Sequence, residues 1–286
     1  MDKNILELLK NGTVEKNGLS CVSSFRCREI ADGYGVKIRE VEMLALENGI
    51  CPLRYERSMG VFGLSGQMKI LGSRVAVVGC GGLGGWIIEI LARAGVGEIV
   101  MIDGDLFDES NLNRQLFSNE SNMGMGKAEA AALRVRSINS AVSALPRNVF
   151  IDEANCRELI SGCDAVADAL DNNRARRLVY SCCRGLGIPF IHGAVGGYFG
   201  QAGVMTCGSY PFWEESGVPD KGMEREAGCP PFTPAFIASI EAAETLKVLT
   251  ASDKIIKDVL LCFDLESGGL QKIKLDKKRF ASEEFN

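Results

Sequence analysis

A glycine-rich segment in the first third of the chain has the spacing of a phosphate-binding loop. Gly79, Gly81 and Gly84 follow an apolar run at 74–78 and precede a helical pattern. Glycines at these positions permit a tight turn, close approach of a phosphate and packing of the helix on the strand. The start of the helix offers free N–H groups to an anion. Asp103, 19 residues after Gly84, ends the next apolar run, where a carboxylate can accept hydrogen bonds from a ribose. The pattern predicts a nucleotide site without choosing among NAD, FAD and ATP.

Charged residues beyond this loop suit a polyphosphate and a magnesium ion. Asp105 begins a loop that leads to Arg114, whose guanidinium presents a fork of donors, and Lys127 begins the next predicted helix. Asp171 follows the fourth predicted strand, at the same edge of the sheet as the glycines, where a carboxylate can hold Mg²⁺ against phosphate oxygens. The competing interpretations are solvated surface charges for the two cations and a helix N-cap for Asp171.

Several motifs in a fixed order resemble the ThiF/MoeB/HesA family, the bacterial relatives of ubiquitin-activating enzymes. The resemblance covers about residues 52–275. The motifs are RYER at 54–57, GCGGLGG at 79–85, MIDGD at 101–105, SNLNRQ at 110–115, GK at 126–127, DALDN at 168–172, PFIHGAVGGYFGQ at 189–201 and EAAETLKVL at 241–249.

The resemblance implies a site for ATP and Mg²⁺ and assigns its residues. Asp103 would bind the ribose, and Asp171 would take the magnesium ion. Arg57 would reach into the site of a second subunit, since the family is usually homodimeric, and would share catalysis with Arg114, Lys127 and Asp171. The whole predicted nucleotide set is Gly79, Gly81, Gly82, Gly84, Asp103, Asp105, Asn111, Arg114, Gln115, Lys127, Asp171 and Asn172, of which Asn111, Arg114 and Lys127 would contact phosphates.

The implied reaction is ATP-dependent adenylation of a protein carboxylate. The substrate would be the C-terminal glycine of a small ubiquitin-fold sulfur-carrier protein ending in Gly-Gly, and pyrophosphate would be released. The pathway would be biosynthesis of a sulfur-containing cofactor of the thiamine or molybdopterin type. Three alternatives stay open: an NAD- or FAD-dependent oxidoreductase, a tRNA-modifying member of the same superfamily, and a nucleotide-sensing module whose N-terminal hairpin binds DNA.

The eleven cysteines and one histidine limit other chemistry. Many family members hold zinc through two C-x-x-C pairs, and this chain has none, so no zinc is predicted. Cys207 and Cys229 flank the predicted crossover loop and are candidate thiols for a thioester or persulfide, or else passive thiols. His192 is interpreted as a hydrogen-bonded, partly buried side chain or as a contact for the carrier tail beside the glycine-rich GAVGGYFGQ run.

The elements that must position these residues alternate between strand and helix from residue 73 onward. Strands are predicted at 74–78, 98–102, 149–151, 165–167, 189–192 and 203–206, with a terminal hairpin at 259–264 and 270–275. The pattern indicates a Rossmann-like, doubly wound, mostly parallel sheet with a C-terminal antiparallel extension. We expect a small helical unit at 1–50 and an adenylation domain at 51–286, with a mobile crossover loop at about 208–228.

The bulk composition is that of an ordinary globular protein. Hydrophobic residues make up 46% and charged residues 24%, and the formal net charge is −5. A weakly acidic chain argues against a nucleic-acid partner, because such binding needs a basic field. No apolar stretch is long enough for a membrane helix, so we expect a cytoplasmic protein with no membrane contact.

Overall fold

The first fifty residues pack around a small apolar core of their own. The computed structural model describes residues 2–214, 220 and 224–276. In the N-terminal part it contains α1 (Asp2–Lys10), β1 (Thr13–Lys16), β2 (Leu19–Val22), α2 (Ser24–Tyr34) and α3 (Ile38–Glu47). A short strand, β3 (Cys51–Pro52), pairs in parallel with β2 and completes a three-stranded sheet.

The small sheet is absent from the sequence interpretation, which expects a helical unit only. Asn17 and Gly18 turn the chain between β1 and β2 with positive φ angles of 51° and 76°. An Asn-Gly pair favours a two-residue hairpin turn, because both residues tolerate the left-handed region. The strands are four residues long and β1 is largely exposed, so their hydrophobic alternation is weak. The Asn17-Gly18 turn therefore indicates the hairpin, whereas the hydrophobic alternation of its strands hardly does.

Buried polar contacts join this unit to the rest of the chain. The Arg54 guanidinium lies 3.2 Å from the Glu42 carboxylate, which is fully buried, and it also donates to Asn139. The Asn139 amide donates to the Tyr55 hydroxyl over 3.0 Å. Burial raises the pKa of Glu42, against the effect of the nearby Arg54 charge. These contacts place the residues around 54–57 on a shared interface between the two parts.

Eight of the described strands form one sheet, ordered β11-β10-β9-β8-β7-β4-β5-β6. Five neighbouring strands of this order, β8, β7, β4, β5 and β6, run parallel. Strands β9, β10 and β11 continue the sheet with antiparallel pairing. The predicted doubly wound sheet with an antiparallel extension is confirmed. The strands are β4 (Arg74–Val78), β5 (Glu98–Ile102), β6 (Ser143–Arg147), β7 (Ala165–Asp168), β8 (Phe190–Gly196), β9 (Phe199–Met205), β10 (Val259–Asp264) and β11 (Gly269–Lys274).

Helices cover both faces of this sheet. Those after the N-terminal unit are α4 (Met59–Gly72), α5 (Gly82–Ala94), α6 (Lys127–Ile138), α7 (Cys156–Ile160), α8 (Asn173–Leu186), α9 (Glu224–Ala227) and α10 (Phe232–Thr250). One buried apolar cluster joins α4, α5, α6 and α10 to one face, and a second joins α7 and α8 to the other. No helix within the described residues is both long and apolar enough to span a membrane.

Two expectations differ from this arrangement. The third parallel strand is Ser143–Arg147, so residues 149–151 follow the strand instead of forming it. The expectation of a mobile loop at 208–228 lies partly outside the described residues. In the part that is described, Phe212–Glu214 forms a short 3-10 helix and Glu224–Ala227 forms α9.

The order of the strands creates a cleft at one position. From β4 the chain continues to β5 and β6 on one side, whereas β7 and β8 lie on the other side. The loops after β4 and β7 therefore leave the same sheet edge in opposite directions. Ligands of open α/β sheets bind at such a switch point, outside the carboxyl ends of the strands.

Candidate functional site

A cavity of about 1130 Å³ lies at this switch point. It is large enough for a nucleotide together with part of a second substrate. Most of the predicted nucleotide residues line it, although sequence separates them by up to 93 positions (172 − 79). The predicted residues in its wall are Gly79, Gly81, Gly82, Asp103, Asp105, Arg114, Gln115, Lys127, Asp171, Asn172 and Cys229.

The glycine loop is required by close backbone packing at two positions. Gly79 has a φ of 97°, and a Cβ there would lie 2.4 Å from the carbonyl oxygen of Ala169. A Cβ at Gly84 would lie 1.8 Å from the carbonyl oxygen of Gly79. Any side chain would separate the loop, the helix α5 and the loop after β7. Gly84 thus acts in packing and lies outside the cavity wall, while Gly79 contributes to both.

The N-terminus of α5 faces the cavity without a side-chain cap. Gly81 occupies the N-cap position, has no side chain to accept a hydrogen bond, and lines the cavity with Gly82. The first N–H groups of a helix have no partner within the helix, so they are available to an anion. Gln115 approaches the same loop: its buried Oε1 has no hydrogen-bond partner among the described residues. A buried acceptor without a partner suits a donor supplied by a bound ligand.

Asp103 is held in place by two backbone N–H groups. Its Oδ2 accepts from Cys80 over 2.7 Å, and its Oδ1 accepts from Asp105 over 2.8 Å. Burial raises the pKa of Asp103, and these two hydrogen bonds oppose the increase. Each carboxylate oxygen keeps a second lone pair for a ligand hydroxyl. Cys80 is itself buried, and burial raises the pKa of its thiol well above the ordinary value, so it fills space beneath the loop.

Two cations line the same cavity, Lys127 and Arg114. The Lys127 ammonium lies 3.1 Å from the Asp105 carboxylate, and the Lys127 backbone N–H donates to the Asp105 carbonyl over 3.0 Å. Lys127 is only 8% exposed, so its charge is directed toward the cavity by a largely buried stem. The Arg114 guanidinium donates to the Ser110 carbonyl and the Asn113 amide oxygen, both over 2.9 Å. Both side chains are therefore oriented before any ligand arrives.

Asp171 is exposed in the cavity wall, and the N-cap role belongs to its neighbour. The Asn172 side chain accepts a hydrogen bond from the Ala175 N–H over 2.9 Å at the start of α8. The Asn172 amide also donates to Asp171 Oδ1 over 3.1 Å. The Asp171 carboxylate is therefore oriented but not used for capping, which leaves it available to a cation.

A buried charged network supports the loop that carries Asp171. The Arg176 guanidinium donates to Asp168 over 2.6 Å and to the Leu170 carbonyl over 2.7 Å. His192 lies 2.8 Å from the same Asp168 oxygen, and its other ring nitrogen lies 2.9 Å from the Gln201 amide. Burial is the main cause that lowers the pKa of His192, so the ring is neutral and bridges β7 to β9. The expected hydrogen-bonded histidine is confirmed, and its burial is complete.

Four predicted residues lie outside the cavity wall. Asn111 is buried and accepts from the Asp108 N–H over 3.1 Å, so it shapes the loop, while Asn113 lines the cavity. The Arg57 side chain is 87% exposed and pairs with Glu56 at 3.5 Å. Cys207 is exposed, and its Sγ lies 3.7 Å from the Arg184 carbonyl. The fourth residue is Gly84, described above.

One wall of the cavity was missed by the sequence interpretation. Residues 149–154 line it, among them Phe150, which is 68% exposed. Phe150 packs on Gly104, because a Cβ at Gly104 would lie 2.7 Å from the Phe150 ring. Strands β5 and β6 pair in register from Glu98 to Ile102, so they end at the same edge of the sheet. If the sequence analysis had ended the third strand at Arg147, it would have placed residues 149–154 in the site.

No group of three or more His, Cys, Asp or Glu side chains in the described ranges is arranged to hold a metal ion by itself. A magnesium ion at Asp171 would therefore need further ligands from a bound phosphate or from water. The absence of a zinc site stays a prediction.

Two solved structures share the fold of this chain although their sequence identity to it is low. The crystal structure of Escherichia coli MccB with ATP matches 87% of this chain and 79% of that chain, with a TM-score of 0.69 and 18% identity. The crystal structure of PaaA matches 78% of this chain and 73% of that chain, with a TM-score of 0.67 and 22% identity. These matches establish the fold.

Curated relatives are closer in sequence. The SAMP-activating enzyme E1 of Haloferax volcanii is 39% identical over 220 residues, which is 74% of this chain and 80% of that protein. The adenylyltransferase and sulfurtransferase MOCS3 of Xenopus laevis is 32% identical over 234 residues, or 79% of this chain. The chain spans about half the length of the MOCS3 relatives, 52% in this case.

The model of the ThiF family matches residues 55–283, which contain every motif of the predicted resemblance except the first residue of RYER. The match confirms the family predicted from those motifs. By this match and by its relatives above 30% identity, the chain belongs to the ThiF family.

Proposed function

We propose that this protein is an adenylyltransferase that uses ATP and Mg²⁺ to activate the C-terminal glycine carboxylate of a small ubiquitin-fold carrier protein ending in Gly-Gly. The observation that carries the proposal is the convergence of four features in one cavity: an uncapped helix N-terminus, Arg114, Lys127 and the uncommitted carboxylate of Asp171. An NAD or FAD enzyme would need the glycine loop and Asp103, but it would have no use for the other three.

The residues present fit a nucleoside triphosphate. Asp103 offers two oriented carboxylate oxygens to ribose hydroxyls, and the first turn of α5 offers N–H groups to phosphates. Lys127 and Arg114 add positive charge at positions held by their own hydrogen bonds. The buried Gln115 Oε1 supplies an acceptor that a ligand donor would satisfy. Asn111 would act on the phosphates indirectly, through the loop that it shapes.

Asp171 would hold the magnesium ion, whose charge would stabilise the phosphate oxygens of ATP. Its orientation by Asn172 is compatible with this role, because the amide donates to only one of the two carboxylate oxygens. An exposed carboxylate beside two cations and a triphosphate pocket has the hard oxygen chemistry that Mg²⁺ prefers.

The reaction is attack of the carrier carboxylate oxygen on the α-phosphorus of ATP. The bond between the α-phosphorus and the bridging oxygen breaks, pyrophosphate leaves, and the carrier carries an acyl-adenylate. An α-carboxyl group has a pKa of about 3.5, so the nucleophile is already ionised at neutral pH and no general base is needed. The task of the protein is placement of the two reactants and neutralisation of charge by Lys127 and Arg114.

The names of the relatives support a protein substrate with sulfur chemistry downstream. The Haloferax enzyme is named as an activating enzyme of SAMP, and MOCS3 as an adenylyltransferase and sulfurtransferase. Biosynthesis of a thiamine- or molybdopterin-type cofactor is the corresponding pathway for this chain. In a homodimer Arg57 would enter the neighbouring site, which its 87% exposure permits. Of the two candidate thiols, Cys229 is the one in the cavity wall, so it is the one positioned to receive an acyl group.

ATP–pyrophosphate exchange tests the proposal. Wild-type protein with the intact carrier should exchange labelled pyrophosphate into ATP, and a carrier that lacks its last glycine should not support exchange. Asp171→Ala should reduce exchange by about a hundredfold or more, in the range of losing a key electrostatic contact. Asp253→Ala is the matched control, because Asp253 is exposed in a turn away from the cavity. Tight ATP binding without exchange for any Gly-Gly carrier would contradict a carrier substrate.

A further inference from the structure

Glu56 joins the N-terminal hairpin to Arg57 through its two carboxylate oxygens. Glu56 is 7% exposed and lies in the 3-10 helix Leu53–Ser58, directly after β3. Its Oε1 accepts a hydrogen bond from the side-chain amide of Asn17 over 2.5 Å, and its Oε2 lies 3.5 Å from Arg57 Nε. A carboxylate buried to this extent needs partners for its charge. One of these partners lies 39 residues away in the chain, and the other is the next residue.

The hairpin holds Asn17 in the position that this contact needs. Asn17 has a φ of 51° in the turn between β1 and β2, and the strands pair on both sides of it, from Lys16 and Leu19 onward. Asparagine is one of the few residues other than glycine that accept this left-handed conformation. Strand β2 pairs in turn with β3, which leads into the 3-10 helix of Glu56. Paired strands therefore connect the donor to its acceptor.

The two residues before Glu56 are also anchored, whereas Arg57 projects from the surface. Arg54 donates to the side-chain oxygen of the buried Asn139, and the amide of Asn139 donates to the Tyr55 hydroxyl over 3.0 Å. The side chain of Arg57 is by contrast 87% exposed. Its contact with Glu56 uses Nε, so both terminal nitrogens of the guanidinium stay available to another acceptor. The chain thus presents one arginine on a firmly attached base.

The pair between Glu56 and Arg57 is poorly suited to stabilise the fold. An ion pair with an exposed arginine contributes little, because water screens the charges and the long side chain loses entropy. Its effect is to restrict the directions in which Arg57 points. A guanidinium restricted in advance loses less entropy when it binds an anion, so the binding is more favourable. Arg57 does not line the cavity of its own chain, so the anion that it binds lies elsewhere.

We propose that Asn17 and Glu56 are positioning residues that orient the Arg57 guanidinium toward the phosphates of ATP in the site of a second subunit. This inference rests on the proposed function, in which Arg57 enters the neighbouring site. It gives the N-terminal unit a part in catalysis: the hairpin turn holds Glu56, and Glu56 holds Arg57. Neither Asn17 nor Glu56 touches ATP. The oriented guanidinium neutralises charge that develops on the pyrophosphate leaving group.

Two nearly isosteric substitutions test the proposal. Asn17→Asp keeps the size of the side chain and a residue type that the left-handed turn accepts, but it puts a second carboxylate beside Glu56 in place of the donor. Glu56→Gln keeps an acceptor for Asn17 and removes the charge that attracts Arg57. Asn11→Asp is the matched control, because Asn11 is exposed in the turn after α1 of the same unit. ATP–pyrophosphate exchange is measured with a ubiquitin-fold protein ending in Gly-Gly that supports exchange by wild type.

Both substitutions should lower the kcat for exchange by about tenfold or more, because a small misplacement of a charged group can cost about a hundredfold. The KM for the carrier and the midpoint of thermal unfolding should stay close to wild type, and Asn11→Asp should match wild type throughout. Arg57→Ala should lower kcat by about a hundredfold or more. If Arg57→Ala loses exchange while Asn17→Asp and Glu56→Gln keep the wild-type kcat, this inference is overturned and the proposed function stands.

Combination with Arg57→Ala shows whether the two residues act through the arginine. Adding Asn17→Asp or Glu56→Gln to Arg57→Ala should lower kcat no further than Arg57→Ala does alone, because the group that they orient is already absent. A merely structural role would leave the effects independent, so the losses in kcat would multiply. Multiplied losses would contradict the positioning role.

Mixed dimers show in which subunit Asn17 acts. A subunit with Asp171→Ala supplies an intact Arg57, and a subunit with Arg57→Ala supplies an intact Asp171, so their mixed dimer has one complete site. Asn17→Asp should lower the recovered exchange when it is placed in the Asp171→Ala subunit, and it should have no effect in the Arg57→Ala subunit. The reverse result, or no recovery of exchange in the mixed dimer, would contradict the inference. If wild type exchanges with no Gly-Gly carrier, the proposed function has failed, and this inference with it.

Discussion

Replacement of Arg176 by lysine should destabilise the protein strongly although the charge is kept. The side chain of Arg176 is 6% exposed and donates four hydrogen bonds. Its Nε donates to Asp168 over 2.6 Å and its Nη1 to Asn173 over 2.6 Å. Its Nη2 donates to the carbonyl oxygens of Leu170 over 2.7 Å and Gly193 over 3.4 Å. These acceptors lie on three different elements, so only the planar fork of a guanidinium reaches them together.

The magnitude follows from the acceptors that a lysine leaves without a donor. A single ammonium at the end of a flexible chain can keep the contact with Asp168, but it loses two or three of the remaining bonds. A buried acceptor that loses its partner costs about 1–3 kcal/mol. The free energy of unfolding of Arg176→Lys should therefore fall by about 2–5 kcal/mol. Because Leu170 directly precedes Asp171, exchange activity should fall as well.

Urea denaturation followed by circular dichroism measures the effect. Arg174→Lys is the matched control, since Arg174 is exposed on the same helix, and its free energy of unfolding should stay within about 0.5 kcal/mol of wild type. A change below about 0.5 kcal/mol for Arg176→Lys would refute the argument that the fork geometry holds the loop. A lysine variant with normal stability but no exchange would instead assign Arg176 a direct contact with substrate.

Two further predictions concern backbone packing and a buried carboxyl group. Gly84→Ala should abolish ATP binding and destabilise the fold by about 3 kcal/mol or more, because the new Cβ would lie 1.8 Å from a backbone oxygen. The control is Gly185→Ala, in open space on α8, which should stabilise the fold by about 0.5–1 kcal/mol. Thermal unfolding and equilibrium ATP binding measure both variants, and normal ATP binding by Gly84→Ala would contradict the packing role. Glu241 is fully buried with no hydrogen-bond partner for either oxygen among the described residues, and burial raises its pKa well above the ordinary value of 4.5. The folded state therefore keeps a proton that the unfolded chain loses above about pH 4.5, so the stability of the wild-type protein falls as the pH rises. Glu241→Gln, which carries no such proton, should be more stable than wild type at pH 8, and the difference should shrink toward about pH 4.5. Parallel stability curves for the two proteins across that range would show that Glu241 is ionised in the folded state.

Local patterns were sufficient for the features that depend on neighbours in sequence. The glycine loop, the apolar runs of β4 and β5 and the position of Asp103 at the end of β5 were all predicted from spacing. The confirmed antiparallel extension follows from the hairpin pattern near the C-terminus. Such features depend on residues close in sequence, whose conformation follows from the backbone freedom of glycine and from the spacing of apolar residues.

Features that depend on two distant segments were predicted less well. The spacing around Asn111 does not reveal that this residue shapes a loop while Asn113 faces the cavity. Nor does it distinguish Cys229, in the cavity wall, from Cys207 outside it. Which way a side chain points in an irregular loop depends on what the loop packs against, and that partner lies elsewhere in the sequence.

The sequence by itself determined the family, the doubly wound sheet and the types of residue that a nucleotide site requires. Only the tertiary structure decided how they are assembled: the switch point between β4 and β7, the wall formed by residues 149–154, and the contacts of Arg176 with three elements. It also decided that Tyr198, in the β8–β9 turn, contacts Phe232 of α10, and that Phe236 of α10 contacts Phe263 of β10. The physical reason is that hydrogen bonds, buried charges and apolar contacts between distant segments depend on strand register and helix packing, which no local pattern specifies.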